Sequence, residues 1–260
     1  MLESVKSLIV NADDFGRTAG INAGVLEAHG RGIVTSATVM VLEKAAARGV
    51  REASERAPRL SLGLHFCVTG GGPPAAPARA LPTLAPGGRF RRLPEELPAE
   101  IPAAEVRAEL EAQIAVFQML ARQHPSHLDS HHHAARHPSI APVFAAVAAA
   151  RSLPARAADD ASRRALRAAG VRTPDRFEGG FHGEGVRVER LVRILEELPD
   201  GVTELMCHPA IVDDALREGS RYADAREEER EILCDPAIRQ LVRSLGIRLV
   251  GFEALAARMR

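Results

Sequence analysis

The chain reads LIVNADDFG from Leu8 to Gly16, an apolar segment that stops at two adjacent carboxylates. An apolar run of this length predicts a buried strand of a parallel sheet, which we place at Lys6 to Ala12. Three later segments predicted as strands also end in a side chain suited to metal or proton chemistry: His65, His131 and His208. Because active sites of parallel α/β barrels form at the carboxyl ends of the strands, the pattern predicts a barrel with one shared site.

Strands alternate with helices along the rest of the chain, which indicates an α/β fold whose parallel sheet is covered by helices. The clearest helix runs from Glu105 to Arg122, where apolar residues recur at helical spacing. Residues 70–104 interrupt the alternation and hold eight of the seventeen prolines. We interpret them as an insertion loop over the active site, within a single domain that spans residues 1–260. The last predicted strand, Ile247 to Phe252, precedes a closing helix that starts at Glu253.

Composition limits the partners of the protein. Basic and acidic residues balance at 34 each, so no net charge attracts nucleic acid or an anionic membrane. The first ten residues lack the features of a signal peptide, and no apolar run approaches the length of a membrane span. Three cysteines are too few for a disulfide framework, which favours the cytoplasm. A homodimer is expected from the frequency of such oligomers alone.

Four of the ten histidines fall between His127 and His133, in the sequence HLDSHHH. Clustered imidazoles repel one another when protonated and are costly to bury, and a divalent metal ion offsets both costs. The cluster therefore predicts a metal site.

A carboxylate and two imidazoles from different strands make a suitable ligand set: Asp14, His65 and His131. Three protein ligands leave coordination positions open for water and substrate. In an extended chain, Asp129, His131 and His133 would point to the same side. We therefore expect Asp129 or His133 to steady His131 or to contact the substrate.

Asp13 and His208 are the candidate base and acid. Asp13 would sit beside the cation and is placed to take a proton from water, while His208 is placed to return one to a leaving group. The alternative for Asp13 is a helix N-cap, and for His208 a turn residue before Pro209. Taken together, the residues predict metal-assisted hydrolysis of an acyl bond.

The motifs resemble those of the YdjC-like carbohydrate deacetylases over nearly the whole chain. The matching segments are Leu8 to Gly16, Gly32 to Ser36, Gly63 to Phe66, His127 to His133, Glu204 to Pro209, and a tail with Tyr222, Arg226 and Glu227.

The resemblance implies a divalent-metal hydrolase on a distorted (β/α) barrel similar to that of the polysaccharide deacetylases. It implies removal of an acetyl group from small N-acetylated sugars such as chitooligosaccharides. The family's metal ligands fall on Asp14, His65 and His131. Its aspartate before the ligand falls on Asp13, and its C-terminal histidine falls on His208.

The same resemblance implies one divalent ion, which the family assigns as Mg²⁺, although two imidazoles would suit Zn²⁺. Arg156 stands where members often place an arginine near the substrate. Two departures from the family pattern, at Ala135 and at Ala210-Ile211, lie near the expected sugar site and concern the choice of substrate.

Other functions share part of this pattern. The acetylated substrate could be a sugar-bearing lipid headgroup. A non-haem iron oxygenase also uses two histidines and a carboxylate, but it would leave Asp13 and His208 without roles and expects a β-rich jelly roll. A non-catalytic metal-binding or sugar-binding protein would keep its function when Asp13 is replaced by asparagine.

Overall fold

The computed structural model describes residues 5–255. Within that range one sheet contains the strands β1 (Lys6–Phe15), β2 (Ser36–Val39), β3 (Ser61–Phe66), β4 (Leu128–Ser130), β5 (Arg176–Glu178), β6 (Gly201–Cys207) and β7 (Arg248–Leu249). The helices are α1 (Ala19–Gly30), α2 (Ala46–Arg56), α3 (Ala103–Ala121), α4 (Ala141–Ala150), α5 (Asp160–Ala168), α6 (Val188–Glu196), α7 (Asp214–Gly219), α8 (Asp224–Cys234) and α9 (Pro236–Ser244).

All strand pairs are parallel, in the order β4-β3-β2-β1-β6-β5, and β7 pairs with the start of β1. Beyond β4, Leu128 forms an isolated bridge to Ala155. No ladder joins β4 to β5 among the residues that the structure describes. The sheet therefore forms a curled, incomplete barrel with helices around it, which confirms the predicted distorted (β/α) barrel.

The central strand β1 is buried along almost its whole length, because it has a neighbour on each side and helices cover the sheet. Leu8, Ile9 and Val10 have no exposed surface. This burial explains the continuous apolar run that opens the chain, since a strand covered on both faces has no polar side to alternate with.

The predicted elements and the observed ones agree best where the apolar pattern is strong. Prediction ended the first strand at Ala12, but β1 continues to Phe15 and so includes both aspartates. The pattern gives no signal for β5, which has only three residues, or for α7 and α8, which are rich in charge. Of the closing helix predicted from Glu253, only the first three residues are described, within the 3-10 turn Phe252–Leu255, and the rest lies outside the described residues.

The proline-rich stretch between β3 and α3 has no long element, but it packs against the core. It contains three short 3-10 turns, and Leu81, Leu84 and Phe90 are buried. Two carboxylates of α3 hold its backbone. Glu109 accepts from the N–H groups of Ala75 and Ala76, and Glu105 accepts from those of Thr83 and Leu84.

The three cysteines are buried and free, as their sparse number predicted. No helix within residues 5–255 combines the length and the apolar character that a membrane span requires.

Candidate metal centre and active site

Asp13 and Asp14 lie near the carboxyl end of β1, and both are buried. Neighbouring residues of a regular strand point to opposite faces. Asp14 has a φ of 66°, and the pairing of β1 with β2 shifts register between Ala12 and Phe15. Aspartate tolerates this left-handed conformation better than most residues do. The irregular backbone thus allows both carboxylates to join one cluster of side chains.

The carboxylate of Asp14 faces two imidazoles that other strands supply. His65 on β3 places its Nε2 atom 3.4 Å from Asp14 Oδ1, and His131, directly after β4, places its Nδ1 atom 3.2 Å from the same oxygen. Ligand atoms of the three buried residues all lie within 4.8 Å of one another. Two donors at the usual distance from a tetrahedral zinc ion are about 3.3 Å apart, so this spacing suits a small divalent cation.

Asp129 lies behind His65. Its Oδ1 atom accepts a hydrogen bond from His65 Nδ1 at 2.7 Å, and its Oδ2 atom accepts one from the hydroxyl of Thr38 at 2.9 Å. A carboxylate in this position fixes the ring and directs the Nε2 atom toward the cation. The sequence predicted that Asp129 contacts substrate or steadies His131. The structure instead places it, with 1% of its surface exposed, against His65.

Negative charge exceeds positive charge around these ligands. Burial opposes protonation of His65, but Asp129, followed by Asp14 and Asp13, raises the pKa of His65 to about 10. The cluster thus stabilises a positive charge at this ring. A divalent cation would supply that charge and leave His65 neutral, as a ligand must be. The donor set and its charge therefore fit a divalent metal ion.

Arg226 on α8 contacts the other oxygen of Asp14. Its Nη2 atom donates to Asp14 Oδ2, and its Nε atom donates to the carbonyl oxygen of Tyr222 at 2.9 Å. Burial acts to raise the pKa of Asp14, but Arg226 and then the two histidines hold it well below its usual value. Asp14 is therefore ionised, and its Oδ1 atom is left for the histidine side. The sequence pointed to Arg226 only through the family resemblance.

Asp13 is held by two donors. Arg156 donates from Nη1 and Nη2 to the two carboxylate oxygens, both at 2.6 Å, and the amide of Asn11 donates to Oδ1 at 2.9 Å. Burial acts to raise the pKa of Asp13, but the Arg156 guanidinium keeps it well below the usual value. The helix N-cap reading of Asp13 is wrong, because Thr18 caps α1.

Arg156 is buried among three carboxylates and is 5% exposed. Besides Asp13, it lies 3.0 Å from Asp129 Oδ2 and donates to Glu204 Oε1 at 2.7 Å. Asp13, His65 and Asp129 also have the spacing of a metal site, but the guanidinium already balances this group. The structure thus places Arg156 behind Asp13, whereas the sequence predicted a residue near the substrate.

The chain stops being extended after His131. His132 and His133 have φ values of 54° and 51°, so the predicted alternation of Asp129, His131 and His133 on one side is wrong. The ring of His132 stacks on that of His131. His133 instead lies edge-on to Phe177, and burial followed by Arg156 lowers its pKa to about 4.

His208 follows β6 and faces Asp13. Its Nε2 atom is 3.9 Å from Asp13 Oδ2, and its backbone N–H donates to Glu229 on α8. Burial followed by the charge of Arg226 lowers the pKa of His208 to about 3, so the ring is neutral at rest. Its buried Nδ1 atom has no hydrogen-bond partner among the described residues, and Glu229 Oε1 is 3.8 Å away.

The sequence did not single out several polar residues of this site as having a role there. Their contacts arise from folding, and each has an ordinary alternative as a strand or helix residue. The signal for the strand residues was their polar character inside apolar segments. They are Asn11, Thr38, His182, Glu204, Tyr222 and Glu229.

Fold and site together define a class: curled parallel α/β barrels with an Asp-His-His cluster at the carboxyl ends of their strands. Within that class, the profile of the YdjC-like protein family matches residues 7–244. The chain belongs to this family, as its motifs predicted.

Two relatives and one solved structure show how far the similarity extends. The chain is 37% identical to a carbohydrate deacetylase of Geobacillus stearothermophilus, over 94% of this chain and 96% of that protein. It is 36% identical to a chitooligosaccharide deacetylase of Serratia marcescens, over 96% and 99% respectively. A crystal structure from Enterococcus faecalis, provisionally described as a cellobiose-phosphate cleavage protein, superposes with a TM-score of 0.91 at 32% identity, over 97% and 99% of the two chains.

Proposed function

We propose that this protein is a metal-dependent carbohydrate deacetylase that hydrolyses the N-acetyl group of a small acetylated sugar. The observation that carries the proposal is the convergence of ligand atoms of Asp14, His65 and His131 within 4.8 Å of one another, with Asp13 next to Asp14 in the chain. The names of the two sequence relatives support the same class of substrate.

Asp14, His65 and His131 would hold one divalent ion, and Asp129 would keep His65 oriented. When bound, such an ion polarises the acyl carbonyl and lowers the pKa of the attacking water. Three protein ligands leave room for both groups. We propose Mg²⁺ or Zn²⁺, since carboxylate suits the first and imidazole the second.

Asp13 is the base in this proposal. Arg156 and Asn11 fix its carboxylate, so that it is ionised and oriented before the substrate arrives. It takes a proton from water as the oxygen attacks the acetyl carbon. Arg156 stays outside the proton transfer because a guanidinium remains protonated.

His208 delivers a proton to the departing nitrogen. Because its ring is neutral at rest, it must first receive the proton that it donates. Asp13 gains a proton in the first step, and its Oδ2 atom lies 3.9 Å from Nε2 of His208. We therefore propose that the proton passes from water to Asp13, then to His208 Nε2, and finally to the amine.

Asp129, His133 and Arg156 were predicted to bind substrate, and their surroundings divide them. Asp129 and Arg156 are engaged with His65 and Asp13 and act by holding those groups. His133 is the one of the three that we propose to face the sugar, beside Phe177.

The rival functions fit the structure less well. An iron oxygenase was expected on a jelly roll, and the described strands are all parallel. A non-catalytic binding protein gives no reason for the Asn11, Asp13 and Arg156 arrangement. A sugar-bearing lipid headgroup carries the same acetamide chemistry and is distinguished by a substrate screen. Three buried free thiols support a cytoplasmic location, and a homodimer stays a prediction.

The test is acetate release from N-acetylated sugars and glycolipids by the metal-loaded protein. We expect acetate from an oligomer that contains N-acetylglucosamine. Asp13→Asn should release acetate about 10²–10⁴-fold more slowly, which is the usual effect of losing one catalytic acid–base group.

The matched measurement is the metal content of Asp13→Asn, which should equal that of the wild type because Asp13 is outside the proposed ligand set. Full activity in this variant would exclude Asp13 as the base. A wild type that binds metal but releases no acetate from any acetylated sugar would exclude the deacetylase function.

A further inference from the structure

His127 is the first histidine of the HLDSHHH segment, and it lies outside the proposed ligand set with no exposed surface. Its ring stacks on that of Phe252, with the two centroids 3.6 Å apart and the planes 3° from parallel. Its carbonyl oxygen accepts from the N–H of Leu64 at 3.0 Å, which fixes the residue beside β3. Because a buried polar atom without a partner is costly, a histidine at this depth needs partners for both ring nitrogens.

Both ring nitrogens of His127 have such a partner. Nδ1 lies 2.8 Å from the hydroxyl of Ser126, and Nε2 lies 3.1 Å from Oδ1 of Asn11. Burial, followed by the charge of Arg156, holds the pKa of His127 well below its usual value, so the ring is neutral and carries one N–H. An amide oxygen can only accept, whereas a hydroxyl can donate. The proton therefore lies on Nε2, which donates to Asn11, and Nδ1 accepts from Ser126.

Asn11 connects this ring to the proposed base. Asn11 has no exposed surface, and its amide nitrogen donates to Asp13 Oδ1 at 2.9 Å and to the hydroxyl of Thr38 at 3.3 Å. If the amide turned by 180°, its oxygen would face the ionised carboxylate of Asp13, and two acceptors would meet. The Nε2–H group of His127 opposes that rotation because it needs an oxygen as its partner. His127 thus determines which end of the amide faces Asp13.

The hydrogen bonds on either side of His127 and Asn11 run in the same direction. On the side away from the site, the hydroxyl of Ser61 donates to that of Ser126 at 2.9 Å. On the side of the site, the hydroxyl of Thr38 accepts from the amide and donates to Oδ2 of Asp129 at 2.9 Å. Each group gives one proton to the next, and the chain ends at carboxylates. A buried network whose members are all satisfied in this way fixes the orientation of each side chain.

Gly63 provides the space that the ring of His127 occupies. A Cβ atom added at Gly63 would lie 2.4 Å from Cε1 of His127, closer than such atoms approach one another. Gly63 stands two residues before His65, and His127 stands four residues before His131. The two segments that supply the candidate histidine ligands therefore also meet at this ring.

We propose that His127 is a positioning residue for the base of the deacetylation and that it acts through Asn11. It holds the Asn11 amide so that the nitrogen of the amide faces Asp13. Because both ring nitrogens have other partners, His127 itself neither binds the metal nor transfers the proton. The proposal rests on the proposed deacetylase function and extends it from the base to the groups that orient the base.

Three single variants separate the N–H donor of His127 from its packing. His127→Phe keeps a flat ring against Phe252 but has no donor, whereas the side-chain amide of His127→Gln can still donate to Asn11. Val202→Ala is the matched control, because Val202 belongs to the same buried apolar cluster as Phe252 and a valine side chain makes no hydrogen bond. His127→Met, which also lacks a donor, replaces His127→Phe if that variant does not fold.

The first measurement is the steady-state release of acetate from N,N′-diacetylchitobiose at saturating metal. His127→Phe should lower kcat by about 10–100-fold and leave KM within about twofold, because a misplaced base slows the chemical step and not the binding of substrate. His127→Gln should recover most of this loss. Val202→Ala should keep the kcat of the wild type although it is less stable, and all variants should bind the same amount of metal.

A double variant tests whether the effect passes through Asn11. Asn11→Ala alone should lower kcat, and the addition of His127→Phe should lower it little further, since both changes break the same connection. If the two losses multiply in the double variant, His127 acts by another route and the proposal is wrong. An unchanged kcat in His127→Phe, or an equal loss in His127→Gln, would also overturn it.

Exchange of the Asn11 side-chain amide protons with water, followed by NMR, is a measurement that does not depend on activity. These protons should exchange slowly in the wild type and in Val202→Ala, and faster in His127→Phe, where the amide oxygen has lost its donor. If the wild type releases no acetate from the sugar, the deacetylase function fails, and the exchange rates alone test whether His127 holds the amide. Fast exchange in the wild type, or equal exchange in all three proteins, would show that it does not.

Discussion

The carboxylates of this site differ in the groups that they contact. Asp14 directs one oxygen toward two imidazoles, Asp13 is held by a guanidinium, and Asp129 fixes the ring of His65. Residue type alone does not distinguish these surroundings. Two adjacent aspartates look alike in the sequence, whereas the left-handed backbone at Asp14 gives their side chains different surroundings.

The ligand assignment predicts the metal content of single variants. His65→Ala and His131→Ala should each lower the bound metal, measured by plasma mass spectrometry after dialysis, because each removes one of three protein ligands. Asp129→Asn should bind metal more weakly by about 10–100-fold, since it weakens the support of His65 and removes no ligand. His124→Ala, at an exposed histidine after α3, is the control and should match the wild type. Normal metal content in both ligand variants would refute the assignment.

Glu229 predicts a dependence of stability on pH. Burial raises its pKa from 4.5 to about 8, although Tyr222 and the backbone of His208 donate to it. Between these two values the unfolded chain has lost the proton and the folded chain has kept it, so rising pH favours unfolding. The free energy of unfolding of the wild type should therefore fall between pH 5 and pH 8 because of Glu229, and in Glu229→Gln this fall should be absent. The difference between the two proteins should change by a few kcal/mol over this range, at about 1.4 kcal/mol per pKa unit.

Urea unfolding at pH 5 and pH 8 measures this effect. Glu228→Gln is the control, because Glu228 is exposed on the same helix. If wild type, Glu229→Gln and Glu228→Gln change equally between the two pH values, Glu229 does not retain its proton in the folded protein.

At the scale of elements, α3 does more than cover the sheet. It turns Glu105, Glu109 and Gln113, spaced four residues apart, toward neighbouring backbone, and Gln113 both donates to and accepts from Cys67 at the end of β3. The sequence predicted α3 from its apolar stripe, but the same spacing of its buried polar residues was not used. This second stripe explains how a segment without long elements is held against α3.

Glu105→Ala tests this function of α3. It leaves the N–H groups of Thr83 and Leu84 without their acceptor, at a cost of about 1–3 kcal/mol for a buried group. Hydrogen exchange at these two amides should accelerate, and denaturant unfolding should show the loss. Glu111→Ala is the control on the same helix. It removes only a partly exposed ion pair with Arg151 and should cost about 1 kcal/mol or less. Unchanged exchange at both amides in Glu105→Ala would show that the carboxylate does not hold the segment.

For the whole molecule, the sequence predicted the barrel and the convergence of the strand ends, because apolar runs and terminal polar residues are local signals that topology then combines. The orientation within the site was less predictable. Whether Arg156 faces substrate or Asp13 depends on the bridge of Ala155 to β4 and on the position of Glu204 across the barrel. Such contacts join residues far apart in the chain, and no local pattern records them.

The same topology predicts that metal stabilises the whole fold. Asp14 lies on β1, His65 lies on β3, and His131 directly follows β4. One ion would therefore link three strands from the half of the sheet that runs from β4 to β1. An ion present at 100 times its dissociation constant adds about 2.7 kcal/mol to the free energy of unfolding, or roughly 5–10 °C in Tm for a chain of this size. Melting curves with EDTA and with added Mg²⁺ or Zn²⁺ measure this shift in Tm. The metal that produces the shift at the lower concentration binds more tightly. His131→Ala should melt at the same temperature with and without metal, whereas His124→Ala should keep the full shift. An equal shift in His131→Ala would mean that the stabilising ion binds elsewhere.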